Sequence, residues 1–318
     1  MSSIEHAVQL HREGRVAEAV HHLRDAGLAG DASAFVELAM WFLQANGVVR
    51  DLSVARELFG RAGAMGDRRA RMVHLSLVAN GSGGPSDWGG ALKLLREAAR
   101  DDAAAAREVE LIAAMDLDEQ GDPRHLPEGR ELQQQPATHL ISGLLTGSEC
   151  NAIVAAALPA LAPSVVIHPD TGQAIAHPVR TSDNAAFPWV DETPFLHAIN
   201  RRLAAASRTD VAAGEPLQVL RYRPGQEYKP HFDAIAATDN QRVLTMLAYL
   251  NDGYAGGETL FLTSGLSVSA SVGDVLMFRN ADAEGRPDPH SQHAGLPVTS
   301  GEKLIASRWI RQRRFGPL

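Results

Sequence analysis

The first 117 residues carry a repeat of 36 positions, and this period restricts the possible folds more than any other feature of the chain. The pair Gly30-Asp31 returns as Gly66-Asp67. A second set returns at the same offset, in which Asp51, Ala55, Leu58 and Ala62 match Asp87, Ala91, Leu94 and Ala98. Within each repeat, apolar residues recur at three- and four-residue spacing, which is typical of amphipathic helices. A period in the mid-thirties with small residues at fixed positions predicts stacked pairs of helices.

These residues resemble the Sel1-like and tetratricopeptide repeats over two full units and flanking halves, with one loop enlarged at residues 81–85. The resemblance implies an α-helical solenoid over residues 1–117. Solenoids of this kind usually present a surface to a partner protein. We therefore expect the repeats to recruit a protein, and the alternative is that they only pack against the rest of the chain.

The second half of the sequence has a different pattern. Residues 118–136 are polar, contain three prolines and predict a linker. Helices are expected at 147–157 and 194–207, followed by short β-rich runs at 217–222, 243–250, 259–262, 274–278 and 304–310. Many short strands with turns between them predict a sandwich, barrel or jelly roll over residues 137–318. The chain is thus expected to be multidomain, with α-helical repeats followed by a β-rich domain.

Composition excludes several classes of protein. A hydrophobic content of 45% over 318 residues supports sizeable cores, and a net charge of −8 argues against a nucleic-acid binder. Cys150 is the only cysteine, so an intramolecular disulfide is impossible and a reducing, cytoplasmic compartment is expected. Charges are scattered through the first 30 residues, so no targeting signal is expected there. The sequence has no uninterrupted apolar run of 18 residues, so no membrane-spanning helix is expected.

His231 and Asp233 are the first candidates for a metal site. They are two residues apart, so on a strand both side chains leave the same face. His293 stands at the head of a later strand-like run and would complete a set of two histidines and one carboxylate, which suits non-haem Fe(II). A surface histidine near an unrelated aspartate gives the same two-residue spacing. Spacing alone also leaves His290 open as the second histidine ligand.

Lys303 strengthens the case for this site. It begins an otherwise apolar strand ten residues after His293. A lysine buried inside a barrel needs a fixed anion. A dicarboxylate co-substrate that binds iron at one end would supply that anion at the other.

A longer set of motifs resembles the prolyl 4-hydroxylase-like 2-oxoglutarate/Fe(II) dioxygenases. The run from Tyr222 to Asp233 reads YRPGQEYKPHFD and matches the core of the family signature. Further matching motifs follow in family order, and they begin at Tyr249 (YLN), Gly256 (GGET), Gly273 (GD), His293 (HAG) and Gly301 (GEK). The resemblance covers residues 137–318 and implies a double-stranded β-helix, or jelly roll, with supporting helices and a core at 215–312.

The resemblance also implies roles for individual residues. His231, Asp233 and His293 would hold Fe(II), with His293 preferred over His290 because Ala-Gly follows the family's ligand. Lys303 would pair with the distal carboxylate of 2-oxoglutarate, and Tyr222 would hydrogen-bond the co-substrate near the metal. Tyr249 and Thr259 would line the pocket, unless they are ordinary strand residues. The family uses O₂ as oxidant and L-ascorbate as reductant.

The predicted function is a 2-oxoglutarate- and Fe(II)-dependent dioxygenase that converts 2-oxoglutarate to succinate and CO₂ while hydroxylating prolyl residues of a protein or peptide. The alternatives are a hydroxylase of a free amino acid or small molecule, or a repeat-based scaffold whose jelly roll has lost catalysis. The presence of all three candidate ligands together with Lys303 argues against the scaffold. The basic C-terminal run is expected to be solvated for the most part, and it comprises Arg308, Arg311, Arg313 and Arg314.

Overall fold

The computed structural model of the chain describes residues 2–167, 174–176 and 179–316. They fall into two compact units. The first comprises residues 2–122 together with Pro188–Ile199, and the second comprises Pro123–Phe187 and Asn200–Gly316. The end of the predicted domain at residue 318 lies outside the described residues.

Consecutive helices form most of the first unit, and each packs on the next in sequence. The helices are α1 (Ser3–Arg12), α2 (Val16–Leu28), α3 (Ala32–Gln44), α4 (Leu52–Ala64), α5 (Arg68–Asn80), α6 (Trp88–Ala98) and α7 (Ala103–Ala113). The even-numbered helices begin at residues 16, 52 and 88, and α3 and α5 begin at 32 and 68. The predicted period of 36 residues and the stacked helical arrangement are therefore confirmed.

Both classes of repeated residue have a structural explanation. The aspartates are N-caps, since the carboxylates of Asp31 and Asp67 accept hydrogen bonds from backbone N–H groups in the first turns of α3 and α5. Asp51 and Asp87 cap α4 and α6 in the same way. The repeated alanines are buried in the core, as Ala55 shows, which lets neighbouring helices approach closely.

The second unit is built on antiparallel strands, supported by helix α8 (Gly147–Ala157) and by the part of helix α9 (Pro194–Ser207) that begins at Asn200. In chain order the strands are β1 (Gly129–Gln134), β2 (Ala137–Ile141), β3 (Ala162–Pro163), β4 (Val165–Ile167), β5 (Ala174–Ala176), β6 (Asp183–Phe187), β7 (Leu217–Tyr222), β8 (Tyr228–His231), β9 (Arg242–Tyr249), β10 (Ala255–Gly256), β11 (Thr259–Phe261), β12 (Ser267–Val268), β13 (Val275–Arg279), β14 (His293–Gly295), β15 (Val298–Ser300) and β16 (Lys303–Arg311). Both predicted helices and all five predicted strands are present, with strand bounds shifted by at most one residue.

Two sheets enclose the core of this unit. Among the described residues the larger sheet has eight strands in the order β1-β2-β13-β9-β16-β7-β6-β3, and the smaller has four in the order β12-β11-β14-β8. One hydrophobic cluster joins them, with Leu220, Leu276 and Phe278 from the larger sheet and Phe261 and Val268 from the smaller. Two antiparallel sheets packed over a shared core form the predicted jelly roll.

The structure differs from the sequence analysis in the segment predicted as a linker. Within residues 118–136, Gly129–Gln134 form the edge strand β1, which pairs with β2. The strand is mostly exposed and has the polar sequence GRELQQ, so it lacks the apolar alternation that predicts a strand.

The expected solvation of the C-terminal arginines is wrong for two of the four. Arg308 is buried and donates to the backbone carbonyls of Asn200, Val211 and Glu215. Arg311 is partly buried and pairs with the Glu215 carboxylate at 2.6 Å. Carbonyls and a carboxylate from other segments thus replace water, and a charge run cannot reveal such partners.

Within the described parts of the chain, no helix combines the length and hydropathy needed to cross a bilayer.

Candidate active site

The smaller sheet brings His231 and His293 together. His231 is the last residue of β8, His293 is the first residue of β14, and the two are direct partners in the register of these strands. Their ring centroids lie 4.3 Å apart. Asp233 follows β8 and completes a group in which one ligand atom from each residue lies within 4.8 Å of the others. Among the described residues this is the one group of three such side chains, and His290 is not part of it.

Backbone carbonyls fix the orientation of both imidazole rings. Nδ1 of His231 lies 2.8 Å from the Lys229 carbonyl, and Nδ1 of His293 lies 2.9 Å from the Ser291 carbonyl. A carbonyl only accepts, so each Nδ1 carries a hydrogen, and in the neutral tautomer this leaves the lone pair on Nε2. The Nε2 atoms face the Asp233 carboxylate, at 3.7 Å from His231 to Oδ1 and 3.6 Å from His293 to Oδ2.

Burial and neighbouring groups keep His231 and Asp233 in the forms that bind a cation. Burial, together with the neighbouring His293, lowers the pKa of His231 to about 4. Burial alone would raise the pKa of Asp233, but His293, His231 and the Thr245 hydroxyl hold it below its usual value. Neutral imidazole nitrogens and an ionised carboxylate are the donor set that suits non-haem Fe(II), so the residues present fit this metal.

Two polar residues that sequence reasoning missed support Asp233. The Thr245 hydroxyl on β9 donates to Asp233 Oδ2 at 2.6 Å. The Asn280 side-chain amide, just after β13, donates to Thr245 Oγ1 at 2.7 Å. Both residues are buried. Thr245 lies within the apolar run VLTMLAYL and has a high strand propensity, so nothing in its local sequence separates it from an ordinary strand residue.

Lys303 places a cation in the interior of the jelly roll. It is the first residue of β16, is buried, and donates from Nζ to the Gly257 carbonyl at 2.5 Å. Burial lowers its pKa to about 8, although Glu258 opposes the shift. Among the described residues no carboxylate lies within ion-pairing distance of Nζ. A buried ammonium in this position is suited to bind an anion.

The three other predicted site residues surround this lysine. Tyr222 on β7 is the direct strand partner of Lys303, and burial raises the pKa of its phenol. The Tyr249 ring centroid lies 5.4 Å from Nζ. The Tyr249 hydroxyl lies 3.5 Å from Thr259 Oγ1, and burial raises the pKa of Tyr249 to about 12.

A single cleft joins the lysine to the histidine–aspartate group. It has about 490 Å³ of space between atoms, its open mouth included, and most of the predicted site residues line it. These are Tyr222, His231, Asp233, Thr259, His293 and Lys303. Tyr249 is not among the lining residues and stands behind Thr259. The remaining wall is largely apolar, with Leu220, Leu247 and Ile305. This combination of apolar walls and a few converging polar groups is typical of a small-molecule site.

Known proteins with similar sequences match the part of the chain that forms this cleft. Residues 217–311 match the model of the 2OG-Fe(II) oxygenase superfamily. The chain is 38% identical to prolyl 4-hydroxylase 1 of Arabidopsis thaliana over 197 residues, which cover 56% of this chain and 70% of that protein. It is 31% identical to prolyl 4-hydroxylase 2 of the same plant over 212 residues, or 58% of this chain and 71% of that protein. The chain belongs to the 2OG-Fe(II) oxygenase superfamily.

One solved structure with a similar sequence is the viral collagen prolyl hydroxylase of Paramecium bursaria Chlorella virus 1 in complex with 2-oxoglutarate. It is 30% identical, with a TM-score of 0.45, and the match covers 55% of this chain and 95% of that one. As a member of the superfamily, the protein is a 2-oxoglutarate-dependent dioxygenase that uses Fe(II), 2-oxoglutarate and O₂.

The oxygenase cleft has one more feature that the sequence analysis did not assign. Tyr228 stacks on His231, with ring centroids 3.5 Å apart and planes 11° from parallel. The Arg180 guanidinium lies 5.6 Å from the Tyr228 ring centroid, and the two residues form an isolated β-bridge. Tyr228 therefore covers one face of the His231 ring and restricts its movement. Its position three residues before His231 was the available signal.

Proposed function

We propose that this oxygenase hydroxylates prolyl residues of a protein or peptide. The observation that carries the proposal is the presence of the His231–Asp233–His293 group and the Lys303 ammonium in one cleft. The similarity to prolyl 4-hydroxylases over more than half of the chain supports proline as the target.

In this proposal His231, Asp233 and His293 hold Fe(II). The neutral His231 ring and the ionised Asp233 carboxylate are ready to bind a cation at neutral pH without first losing protons. Bound there, Fe(II) supplies the redox chemistry that couples oxidative decarboxylation of 2-oxoglutarate, to succinate and CO₂, with hydroxylation of the substrate. The backbone carbonyls that accept from the two Nδ1–H groups keep the rings in place.

Lys303 binds the distal carboxylate of 2-oxoglutarate. Its ammonium is desolvated, so an ionic contact with a carboxylate is stronger than it would be in water. Tyr222 donates a hydrogen bond to the co-substrate, and its raised pKa keeps the phenol protonated for that role. Thr259 lines the wall, and Tyr249 orients the Thr259 hydroxyl. The apolar residues Leu220, Leu247 and Ile305 exclude water from the reacting groups.

In this proposal the helical repeats bind the substrate protein. We assign residues 1–117 to Sel1-like repeats that recruit the substrate protein, residues 118–136 to a connection, and residues 137–318 to the catalytic domain with its core at 215–312. Exposed apolar side chains are available for such a role, among them Leu28 at 62% exposure and Val49 at 89%. L-ascorbate as the reductant and a cytoplasmic location complete the proposal.

The test of prolyl hydroxylation is turnover of a panel of proline-containing peptides with Fe(II), 2-oxoglutarate and ascorbate, followed by mass spectrometry and hydroxyproline analysis. We expect a mass gain of one oxygen on proline in at least one peptide, with stoichiometric succinate, and no gain with His293→Ala. Oxidation of free L-proline without peptide turnover would contradict the proposal and favour a free amino acid as substrate.

Recruitment by the repeats has a separate test. Leu28→Ser and Val49→Ser alter exposed residues of the helical unit, so they should leave the fold intact. If the repeats recruit the substrate, these changes raise KM for a protein substrate and leave KM for a short peptide unchanged. Unchanged kinetics with the protein substrate would contradict recruitment by these surfaces.

A further inference from the structure

Asn280 is a fully buried polar residue at the end of β13, and two chains of hydrogen bonds lead from it to the proposed metal ligands. The first chain uses its side chain. The amide donates to Thr245 Oγ1 at 2.7 Å, and the Thr245 hydroxyl donates to Asp233 Oδ2 at 2.6 Å. The direction is fixed, because an ionised carboxylate only accepts, so the one hydroxyl hydrogen of Thr245 is used on Asp233.

The second chain uses the backbone of Asn280. Its carbonyl accepts from the N–H of Asp288 at 2.9 Å. The Asp288 carbonyl accepts from the Ser291 hydroxyl at 2.7 Å, and the Ser291 carbonyl holds Nδ1–H of His293 at 2.9 Å. The N–H of Asn280 in turn donates to the carbonyl of Val243 on β9 at 3.0 Å. Asn280 therefore connects the strand that carries Thr245 to the segment that carries His293.

The buried side-chain amide of Asn280 lowers the stability of the fold. Its Oδ1 is buried and has no hydrogen-bond partner among the described residues. An unsatisfied buried acceptor destabilises a fold, whereas a leucine of similar size would carry no such cost. What the amide provides in return is the donor for Thr245.

We propose that Asn280 and Thr245 are positioning residues that orient the Asp233 carboxylate for the metal. With Oδ2 held by Thr245, the carboxylate cannot rotate without breaking a buried hydrogen bond, so its two oxygens stay where they face the Nε2 atoms of His231 and His293. The inference rests on the proposed metal site. Partners of metal ligands commonly change metal affinity by about 10- to 100-fold when removed, and we expect an effect of that size here.

The test measures Co(II) binding to the metal-free protein by calorimetry, together with the visible absorption spectrum of bound Co(II). Thr245→Val and Asn280→Leu each remove the relay while keeping the side-chain volume. Both should weaken Co(II) binding by about 10- to 100-fold and alter the spectrum. Thr245→Ser keeps the hydroxyl and should restore both readouts. Because the relay runs through Thr245, the double variant should bind no worse than Thr245→Val alone.

Thr138→Val is the matched control. Thr138 is buried in the same sheet, and its hydroxyl donates to the carbonyl of Pro136 rather than towards the cleft. This change should lower the melting temperature while leaving Co(II) affinity and spectrum unchanged. Wild-type affinity and spectrum in both Thr245→Val and Asn280→Leu would overturn the relay. Failure of the wild-type protein to bind Co(II) would instead overturn the metal site itself.

Discussion

His231 and His293 are direct partners across β8 and β14, with ring centroids 4.3 Å apart. Two protonated imidazoles at this separation would repel each other in a poorly solvated site, and burial and this repulsion lower the pKa of His231 to about 4. The His231 ring is therefore neutral at physiological pH, so the two rings can lie this close together. Because its Nδ1–H is held by the Lys229 carbonyl, the neutral His231 ring has its Nε2 lone pair available for a cation.

Removing either ring should abolish tight metal binding. His231→Ala and His293→Ala each leave two of three donors, and we expect Fe(II) or Co(II) affinity to fall by at least about 100-fold in calorimetry. His290→Ala is the matched control, since His290 lies three residues from His293 and outside the cluster. Equal losses of metal affinity in all three variants would contradict the assignment of His231 and His293 as ligands, because His290 lies outside the cluster.

Lys303→Ala should weaken 2-oxoglutarate binding far more than metal binding. The change removes the buried ammonium at one end of the cleft and leaves the His–Asp–His group intact. Loss of one partner from a desolvated charge pair corresponds to a rise in Kd of roughly 30-fold or more. The comparison is 2-oxoglutarate and Co(II) titrations of the same variant. An unchanged 2-oxoglutarate Kd would exclude Lys303 as the carboxylate partner.

Affinity for 2-oxoglutarate should fall as the pH rises through about 8. Burial lowers the pKa of Lys303 to about 8, so the cation that binds the co-substrate is present below this pH and is lost above it. The measurement is the 2-oxoglutarate Kd from pH 6.5 to 9.5 at constant ionic strength.

The Lys303→Arg variant distinguishes deprotonation of Lys303 from titration of other groups as the cause of this pH dependence, because a guanidinium stays charged throughout the range. Its 2-oxoglutarate Kd should be independent of pH across the same window, whatever its absolute value. A parallel loss of affinity in wild type and variant would assign the pH dependence to another group.

Tyr249→Phe should have a small effect. Its hydroxyl lies 3.5 Å from Thr259 Oγ1, at the long limit for a hydrogen bond, and its ring does not line the cleft. We expect the Kd for 2-oxoglutarate to rise by about two- to five-fold, as for loss of one neutral hydrogen bond. A change as large as that of Lys303→Ala would mean that Tyr249 contacts the co-substrate directly.

The parts of the fold that were predictable are those in which a residue type acts through its own chemistry. Asp31 and Asp67 cap helices because a carboxylate accepts from first-turn N–H groups, so their 36-residue spacing reports the helix starts directly. His231 and Asp233 were predictable for a similar reason. Their two-residue spacing suggested a shared strand face, and Asp233 in fact lies just after the end of β8, where it still meets His231 and His293.

The parts that were missed depend on partners that are distant in sequence. Arg308 is held by carbonyls of Asn200 and Val211, which lie about 100 positions away, so its burial leaves no local trace. Thr245 and Asn280 meet only because β9 and β13 are neighbours in the larger sheet. The edge strand β1 is polar apart from Leu132, and both its pairing with β2 and the packing of Leu132 on the core hold it in place.

The most direct test of the account is an anaerobic titration of the metal-free protein with Fe(II) and 2-oxoglutarate, followed by visible absorption. The account predicts the weak charge-transfer band of iron-chelated 2-oxoglutarate in the wild type, no band in His293→Ala, and a band that needs more 2-oxoglutarate in Lys303→Ala. A correctly folded wild-type protein that gives no band at saturating Fe(II) and 2-oxoglutarate would contradict it.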